Sequence, residues 1–395
     1  MKDIGASLKS LSILIVEDVL FTRQVLSSIF EEEGFNDIRM AENGKEALEQ
    51  IEERAPNLVI LDVNMPIMDG YEFLKILRVN KSQSSIPVLV QTVNAEPEQI
   101  ASIFEAGATD YIIKPVDHRE LLARAYAHLE RQIMVRQLED YQMRVQEELS
   151  SAKKMQDILM PMDTNLCRLE ERYNIDIESF CKTSSELGGD FWGAFPISDD
   201  KMGLYIVDFS GHGLSAALNT FRLHALMTTY QDLSDVPEAF MTEVNKALVP
   251  VLQVQDFATM FYAVMDMSNN KLFYITASHP DVILLRKNGS VETLPLGNGL
   301  AVGILKDLKY TVQEVDFHQG DALFLYSDAL IETKTEHKDY LELDKLVDFF
   351  ESNIKNASDD SYKHQQAFNR LVAMFQDDYM DTLDDDLTMN LYVRK

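Results

Sequence analysis

Aspartate stands beside an apolar run at four widely separated places in the second half of this 395-residue chain. The acids are Asp190 in SELGGDFW, Asp208 in VDFSGHG, Asp328 in LYSDALIE, and the pair Asp385 and Asp386 in DDLTMNLYV. Carboxylates gathered without His or Cys ligands favour a hard divalent cation such as Mg²⁺ or Mn²⁺. Two such ions about 3.5–4 Å apart can hold a hydroxide and clamp a phosphoryl group for in-line attack. Isolated aspartates at strand ends are usually turn formers, so a set of ordinary turns is the alternative.

A second group of candidate residues occupies the first 120 positions, again at the ends of apolar runs. Glu17 and Asp18 follow the first run, Asp62 ends the third, and Thr92 and Lys114 end the last two. Three carboxylates at one edge of a sheet repel one another unless a cation such as Mg²⁺ is bound. A lysine and a hydroxyl nearby could hold an added phosphoryl group. Solvation of a strand end explains any single acid more simply, but it does not explain all five residues.

The elements that would position this second group alternate between short apolar runs and helix-like segments. The runs are continuous, as expected for parallel strands covered on both faces. They are Ile13–Val16, Ile38–Met40, Leu58–Leu61, Val88–Val90 and Tyr111–Ile113. Five such βα units predict an α/β doubly wound domain with a five-stranded parallel sheet over residues 10–128. In such a sheet the site lies beyond the carboxyl ends of the strands.

A connector over residues 129–162 has the pattern of one long helix. Residues 129–159 contain neither Pro nor Gly, and Pro161 predicts the helix end. Apolar residues recur every three or four positions, at Met134, Leu138, Tyr141, Val145, Leu149, Ala152, Met155 and Leu159. The repeat is close to a heptad, which predicts a coiled-coil-like linker that pairs two copies of the chain. The alternative is a single amphipathic helix packed on a neighbouring domain.

The first domain resembles the response-regulator receiver domain. The resemblance rests on VED at 16–18, LDVNMPIMDG at 61–70, QTV at 91–93 and DYIIKPVD at 110–117. It implies that Asp62 accepts a phosphoryl group and that Glu17 and Asp18, with Asp62, bind Mg²⁺.

The same resemblance assigns roles to three further residues. Thr92 and Lys114 would contact the phosphoryl oxygens, and Tyr111 would be the aromatic side chain that reorients on activation. The sequence departs from the family at Val93, where a smaller residue usually follows the threonine. This departure could alter access to the phosphoryl group, but it removes no catalytic group.

Residues 163–395, together with the preceding AKKMQDILMP, resemble the SpoIIE-like branch of the PPM-type serine/threonine phosphatases. Further shared motifs are SELGGDFW, VDFSGHGLSAAL, TASHPDVILL, LPLGNGLAVGI, LYSDALIE and DDLTMNLYV. The resemblance implies an α/β/β/α-sandwich that binds two Mn²⁺ or Mg²⁺ ions. Asp208 would bridge the ions, the Phe209 carbonyl would help hold one, and Asp190 would be a ligand or near-ligand. Asp328 and Asp385 would complete the shell, Asp385 being the residue that opens the Asp-Asp-Leu-Thr pattern.

Three departures from the phosphatase pattern bear on activity. Gly193 replaces a frequent second acid, and Ser278 and Ala329 replace usual glycines. We expect a strained turn at Ala329 and a weaker outer ligand at Gly193, but each principal acid is present. His212 could protonate the leaving oxygen or could cap the turn that contains it.

The overall composition limits the kinds of partner. A net charge of −29 argues against nucleic acid and against membrane surfaces. The chain has no apolar stretch of about 18 residues, and its first ten residues are too polar for a signal peptide. The two cysteines, Cys167 and Cys181, lack metal-site spacing and are expected to be buried in a reduced, cytoplasmic protein.

Together these features predict a response regulator whose output domain is a metal-dependent protein serine/threonine phosphatase. A histidine kinase or other phosphodonor would phosphorylate Asp62, and the linker helix would carry the change to the second domain. The family resemblance implies a phosphorylated anti-anti-sigma protein of the STAS fold as substrate. The alternative is an adaptor that binds a sigma factor or its regulator under receiver control, without catalysis.

Overall fold

The structure is a computed structural model. It describes residues 8–80, 83–93, 96–211, 213–253, 255–297, 299–332, 342–355, 357, 361–378, 383 and 385–395. Contacts within the chain divide it into two compact units, Met1–Val145 and Gln146–Lys395. Each unit is described by itself.

The first unit is a parallel sheet with helices between its strands. Its strands are β1 (Ser12–Val16), β2 (Asp37–Ala41), β3 (Leu58–Asp62), β4 (Val88–Thr92) and β5 (Asp110–Ile113). Its helices are α1 (Leu20–Glu32), α2 (Gly44–Glu53), α3 (Gly70–Val79), α4 (Pro97–Glu105) and the start of α5 (His118–Leu159). The strand order is β2-β1-β3-β4-β5, with every pair parallel. The predicted doubly wound α/β fold is therefore confirmed.

Alternation along each strand divides the core of the first unit between the two faces of the sheet. Leu14 and Leu61 belong to the cluster on one face, and Ile15 and Ile60 belong to the cluster on the other. Because both faces are covered, the strands read as continuous apolar runs. The carboxyl ends of β1, β3 and β4 lie side by side, so the residues that follow them share one edge.

Helix α5 is 42 residues long, or about 63 Å at 1.5 Å per residue. The Asp117 side chain accepts hydrogen bonds from the backbone N–H groups of Arg119 and Glu120, which caps the start of the helix. Leu121, Ala125 and Leu129 are buried in the core of the first unit. The helix ends at Leu159, two residues before Pro161, as the sequence pattern predicts.

The second unit contains two five-stranded antiparallel sheets. Their strands are β6 (Ile175–Lys182), β7 (Phe191–Pro196), β8 (Lys201–Phe209), β9 (Ala258–Asp266), β10 (Lys271–Ala277), β11 (Ile283–Leu285), β12 (Val291–Thr293), β13 (Gln313–Asp316), β14 (Ala322–Tyr326) and β15 (Leu387–Arg394). The helices are α6 (Asp163–Tyr173), α7 (Leu214–Thr229), α8 (Pro237–Leu248), α9 (Ala329–Glu332), α10 (Leu343–Lys355) and α11 (Lys363–Asp378), with 3₁₀ turns at Gln231–Leu233 and Val249–Val251. The strand orders are β13-β10-β9-β8-β7 and β12-β11-β14-β15-β6.

The two sheets pack face to face, with helices on both outer faces. Trp192 and Phe261 of the first sheet share a buried cluster with Leu325 and Tyr392 of the second. Helices α7 and α8 cover the first sheet, and α10 and α11 cover the second. The result is the expected α/β/β/α-sandwich.

The cysteine prediction was wrong, because Cys167 and Cys181 are both exposed residues. Cys181 lies on the edge strand β6, where the residue is exposed as a whole although its thiol is enclosed. Burial of that thiol raises its pKa to about 11, which disfavours the thiolate. Among the described residues, no helix is long and apolar enough to cross a membrane.

Candidate functional site

The first unit brings Glu17, Asp62 and Lys114 into direct contact at the carboxyl edge of its sheet. The Lys114 ammonium lies 2.9 Å from Glu17 Oε2 and 3.0 Å from Asp62 Oδ1. Asp18 is exposed beside them, and one oxygen each from Glu17, Asp18 and Asp62 lies within 4.8 Å of the others. Three carboxylate oxygens at this spacing fit a hard cation such as Mg²⁺, which takes oxygen ligands.

Burial and charge act together on the ionisation of this group. Burial raises the pKa of Glu17. The hydrogen bond from Lys114 lowers it in part, and the negative charge of Asp62 raises it further. Burial alone would lower the pKa of Lys114, but its hydrogen bonds to Glu17 and Asp62 outweigh burial and raise it. The ammonium therefore stays charged and neutralises part of the carboxylate repulsion.

Close backbone packing holds Asp62 in place. The Val63 N–H donates to Asp62 Oδ1 at 2.8 Å, and the Gly70 N–H donates to the Val63 carbonyl at 2.9 Å. A Cβ on Gly70 would lie 2.6 Å from the Asp62 carbonyl oxygen, so this close approach requires glycine.

The other candidate residues of the first unit surround this group. Thr92 is buried at the end of β4, and its carbonyl accepts a hydrogen bond from the Lys114 N–H at 2.7 Å. Tyr111 is half-buried, with its ring edge-on to Phe104 at a centroid distance of 5.9 Å. Val93 is largely exposed.

The second unit brings four of its acids together from two different sheets. Phe191 pairs with Val207, so Asp190 and Asp208 lie side by side where β7 begins and β8 ends. Asp328 follows β14 and Asp385 precedes β15, and these two strands are neighbours in the other sheet.

Electrostatics shows how strongly these acids interact. Burial, followed by the charges of Asp328 and Asp385, raises the pKa of Asp208 to about 8. Burial and the Asp208 charge raise the pKa of Asp190 well above its usual value. Burial also raises the pKa of Asp328, with further contributions from the charge of Glu332 and then that of Asp385. Without a counter-charge, the group cannot be fully ionised at neutral pH.

The donor set of this second group fits divalent cations. Asp190 is 5% exposed, and neither of its carboxylate oxygens has a hydrogen bond of good geometry within the described part of the chain. The Thr388 and Ser327 hydroxyls lie nearby and oppose the rise in its pKa. Asp190, Asp208 and Asp328 form no ion pair with Lys or Arg among the residues described. Buried oxygens that lack both hydrogen bonds and cationic side chains are suited to metal ions.

The spacing of the second group is wider than that of the first. In the described ranges, Glu17, Asp18 and Asp62 form the only group of three His, Cys, Asp or Glu residues whose possible ligand atoms all lie within 4.8 Å of one another. A centre with two ions about 3.5–4 Å apart needs carboxylates that are more widely spaced than those around one ion, because carboxylates at the two ends of the ion pair are separated by both ions.

We predict that Mn²⁺ stabilises this protein more at pH 8 than at pH 5.5. Because the pKa of folded Asp208 is raised to about 8, the folded state binds more protons than the unfolded state between about pH 4 and 8. Stability of the metal-free protein therefore falls as pH rises through this range. Mn²⁺ replaces those protons, so the rise in Tm that it causes should grow with pH. Differential scanning fluorimetry measures this, and an equal rise at both pH values, or the same growth in Asp208→Asn, would contradict the assignment.

Asp386, the neighbour of Asp385, holds the loop that carries Asp190. Its buried carboxylate accepts hydrogen bonds from the Gly189 N–H at 2.6 Å and the Ser184 N–H at 2.8 Å. A Cβ on Gly188 would lie 2.8 Å from Asp386 Oδ2, so the loop fits only with glycine there. The adjacent Asp-Asp pair was the sequence signal for this role. Only the structure shows which of the two acids bonds to the loop and which joins the group around Asp208.

Gln156, near the end of α5, clasps the same loop. It is buried, and its Nε2 donates to the Gly188 carbonyl at 2.7 Å while its Oε1 accepts from the Gly188 N–H at 3.2 Å. Its Nε2 also lies 3.4 Å from Thr220 Oγ1 of α7. No spacing or residue-type signal singles out this residue, although it lies inside the AKKMQDILMP motif. The end of the linker helix is therefore tied to the loop that precedes Asp190.

The segment after Asp208 is built from a buried residue and two uncrowded glycines. Phe209 is buried, and its carbonyl oxygen lies 3.0 Å from where a Cβ on Gly189 would stand. Gly211 and Gly213 have φ values of 85° and 81°, in the left-handed region that favours glycine. Among the described residues, chain neighbours aside, no atom would lie within 4 Å of a Cβ at either position. His212, a candidate proton donor, lies outside the described residues.

The three departures have different structural meanings. A side chain on Gly193 would overlap the Tyr205 hydroxyl, so an acid there has no space. Ala329 begins α9, and the strain expected there is not found. The left-handed residue is Ser278, with a φ of 56°. The neighbouring His279 is buried with Nδ1 2.8 Å from the Pro280 carbonyl, and burial lowers its pKa to about 4, so it is neutral.

Comparison with known families divides the chain in the same way. Residues 13–126 match the response regulator receiver domain, and residues 198–394 match stage II sporulation protein E (SpoIIE).

Individual relatives agree with both assignments. The chemotaxis protein CheY-3 of Vibrio cholerae is 36% identical over 107 residues, which are 27% of this chain and 82% of CheY-3. The phosphoserine phosphatase RsbP of Bacillus subtilis is 27% identical over 162 residues, and the chain spans only 40% of the length of RsbP.

The second unit also has a solved structural counterpart. The SiaA-PP2C domain of Pseudomonas aeruginosa superposes with a TM-score of 0.54 at 19% identity, over 65% of this chain and 98% of that domain, which shows the shared fold. The chain therefore belongs to the response regulators, with a receiver domain at its N-terminal end and a SpoIIE-type PP2C phosphatase domain at its C-terminal end.

Proposed function

We propose that this protein is a phosphorylation-controlled protein serine/threonine phosphatase that depends on Mn²⁺ or Mg²⁺. The observation that carries the proposal is the group around Asp208, where buried and half-buried acids from two sheets raise one another's pKa. Such an arrangement is costly for folding unless it serves ligand binding, and strongly perturbed acids of this kind cluster at functional sites.

The acids have distinct proposed roles. Asp208, Asp190 and the Phe209 carbonyl would hold the ions from one sheet, and Asp328 and Asp385 would hold them from the other. When bound, the ions supply Lewis-acid activation of the attacking water and neutralise charge on the phosphoryl group. Direct attack by water requires no covalent enzyme intermediate. Asp386 keeps the Asp190 loop in position through its two backbone hydrogen bonds.

The receiver domain supplies the proposed control. Asp62 accepts a phosphoryl group from a histidine kinase or another phosphodonor, with Mg²⁺ held by Glu17, Asp18 and Asp62. Lys114 and Thr92 contact the phosphoryl oxygens, and Tyr111 reorients. Helix α5 carries the change to the Asp190 loop, which Gln156 already contacts.

The proposed substrate is a phosphorylated anti-anti-sigma protein of the STAS fold, in the cytoplasm. Its support is the SpoIIE match together with the likeness to RsbP, which is named a phosphoserine phosphatase. The proposed functional division is receiver 10–128, helical linker 129–162 and phosphatase 163–395. The net charge of −29 disfavours nucleic acid and membrane surfaces as partners.

The linker helix is the proposed contact between two copies of the chain. Leu138 is 57% exposed, Met134 60%, Tyr141 61% and Met155 62%, which leaves a row of large apolar side chains on α5 open to a partner. Sedimentation equilibrium at micromolar concentration should give twice the 45.1 kDa chain mass, and a monomer mass would contradict the pairing.

The direct test is hydrolysis of a phosphoserine protein by the purified chain. We expect phosphate release that needs Mn²⁺ or Mg²⁺ and stops with a chelator. Metal-dependent binding without phosphate release, equal in wild type and Asp208→Asn, would favour the adaptor alternative and would contradict the proposed activity.

A further inference from the structure

Gln91 is a buried polar residue whose side chain has no hydrogen-bond partner in the part of the chain that the structure describes. The residue is 1% exposed, and within the described ranges neither its Nε2 nor its Oε1 has a partner. A glutamine amide offers two donors and one acceptor, and leaving such a group unsatisfied in a core opposes folding. Its neighbours on the same face of β4 and β5, Leu89 and Ile112, are apolar, so packing alone does not call for glutamine.

Strand register places Gln91 directly beside the candidate phosphoacceptor. Asp62 of β3 pairs with Gln91 of β4, and Gln91 pairs in turn with Ile112 of β5. Register partners in neighbouring strands point to the same face of a sheet. The Lys114 ammonium reaches Asp62 from β5, the strand on the far side of Gln91. The unpartnered amide is therefore next to the reacting carboxylate and on the side from which its counter-charge arrives.

The same face is the one covered by helix α5. Leu89 and Ile112 share a buried cluster with Leu121 and Ala125 of α5. Tyr111 packs instead against the cluster on the opposite face. Gln91 thus lies between the acid site and the helix that leaves the receiver, on a different side of the sheet from the tyrosine.

We propose that Gln91 is a positioning residue whose side-chain N–H donates to an oxygen of the aspartyl phosphate formed on Asp62. This inference rests on the proposed phosphorylation of Asp62. A phosphoryl group on Asp62 brings three acceptor oxygens and about two negative charges next to Gln91, its partner on the neighbouring strand, whose amide has no partner among the described residues. The hydrogen bond exists only in the phosphorylated state, so it stabilises that state relative to the unphosphorylated one. It also draws a side chain of the α5-covered face toward the acid site.

The test compares the full chain with Gln91→Met, which has a similar volume and no amide. Without ligand, Gln91→Met should melt at a higher temperature, because an unsatisfied amide is removed. Its affinity for beryllofluoride with Mg²⁺, a stable mimic of the phosphoryl group, should be lower by roughly fivefold or more in isothermal titration. The half-life of the phosphorylated protein after acetyl phosphate treatment should shorten as well. If Gln91 had only a structural role, its substitution would not both raise the Tm of the ligand-free protein and lower the affinity for beryllofluoride.

Controls separate this inference from the function on which it rests. Leu89→Met, two residues away on the same face, should leave the affinity for beryllofluoride unchanged, and Asp62→Asn reports binding elsewhere in the chain. Gln91→Leu provides a second variant without the amide, with the same expected result. Equal affinities in wild type, Gln91→Met and Gln91→Leu would overturn the role of Gln91 and leave phosphorylation intact. No binding by wild type would overturn both.

Discussion

Replacing Asp208 with Asn should abolish Mn²⁺-dependent phosphate release while leaving the protein folded. Asp208 lies beside Asp190 and also interacts with Asp328 and Asp385 of the other sheet, so its loss removes the proposed shared ligand of the ions. Loss of a single preorganised charge-stabilising group in an active site costs roughly 10²–10³-fold in rate, and a shared ligand should cost at least as much. Because the substitution also removes a buried charge from a repelling group, the metal-free variant should have a higher Tm at pH 8 than wild type.

Asp266 provides a matched control, because it lies at the opposite end of the β8–β9 pair from Asp208. Asp266 is buried at the end of β9, where its carboxylate accepts hydrogen bonds from Ser268 and Asn269. Asp266→Asn should lower the Tm and leave the rate of phosphate release nearly unchanged, the reverse of the Asp208 pattern. A steady-state assay with a phosphoserine protein, paired with thermal melts, measures both. Wild-type rates in Asp208→Asn would rule out the proposed role of Asp208.

Substitution of Asp62 should abolish the effect of acetyl phosphate on the rate of phosphate release. In wild type, acetyl phosphate should change the rate of phosphate release by about 5- to 150-fold, the usual range of coupling between sites. In Asp62→Asn the rates with and without acetyl phosphate should coincide, because no aspartyl phosphate forms. The physical reason is that Asp62 is the carboxylate in contact with the Lys114 ammonium, 3.0 Å away.

Asp37→Asn is the matched control for this experiment. Asp37 begins β2, at the opposite edge of the sheet, and pairs with Arg54 on the surface. Its substitution should preserve the response to acetyl phosphate. A response that survives in Asp62→Asn, or that disappears in Asp37→Asn, would count against phosphorylation at Asp62.

The receiver fold could be predicted because parallel strands covered on both faces appear as uninterrupted apolar runs. The run Leu58–Leu61 differs from β3 by one residue, and Ile13–Val16 differs from β1 by one. The candidate acids follow from the same logic, since the residues that end parallel strands share an edge. Pro161 and the absence of Gly and Pro before it likewise predicted the end of α5.

Other features depend on contacts that sequence spacing does not encode. The exposure of Cys167 follows from its place on an outer helix, and that of Cys181 from its place on an edge strand. The bonding of Asp386 to the Asp190 loop joins residues nearly 200 positions apart. The unpartnered state of Gln91 becomes visible only when every group around it has been placed. Left-handed backbone at Ser278, instead of strain at Ala329, depends on local turn geometry.

The central claim is that Asp190, Asp208, Asp328 and Asp385 hold a pair of divalent cations between two sheets. Crystals grown with Mn²⁺, with diffraction recorded at the manganese absorption edge, test it most directly. We expect two anomalous peaks about 3.5–4 Å apart, both bonded to Asp208, in addition to any peak beside Asp62. Well-ordered acids with no anomalous peak among them would contradict metal-dependent hydrolysis by this domain.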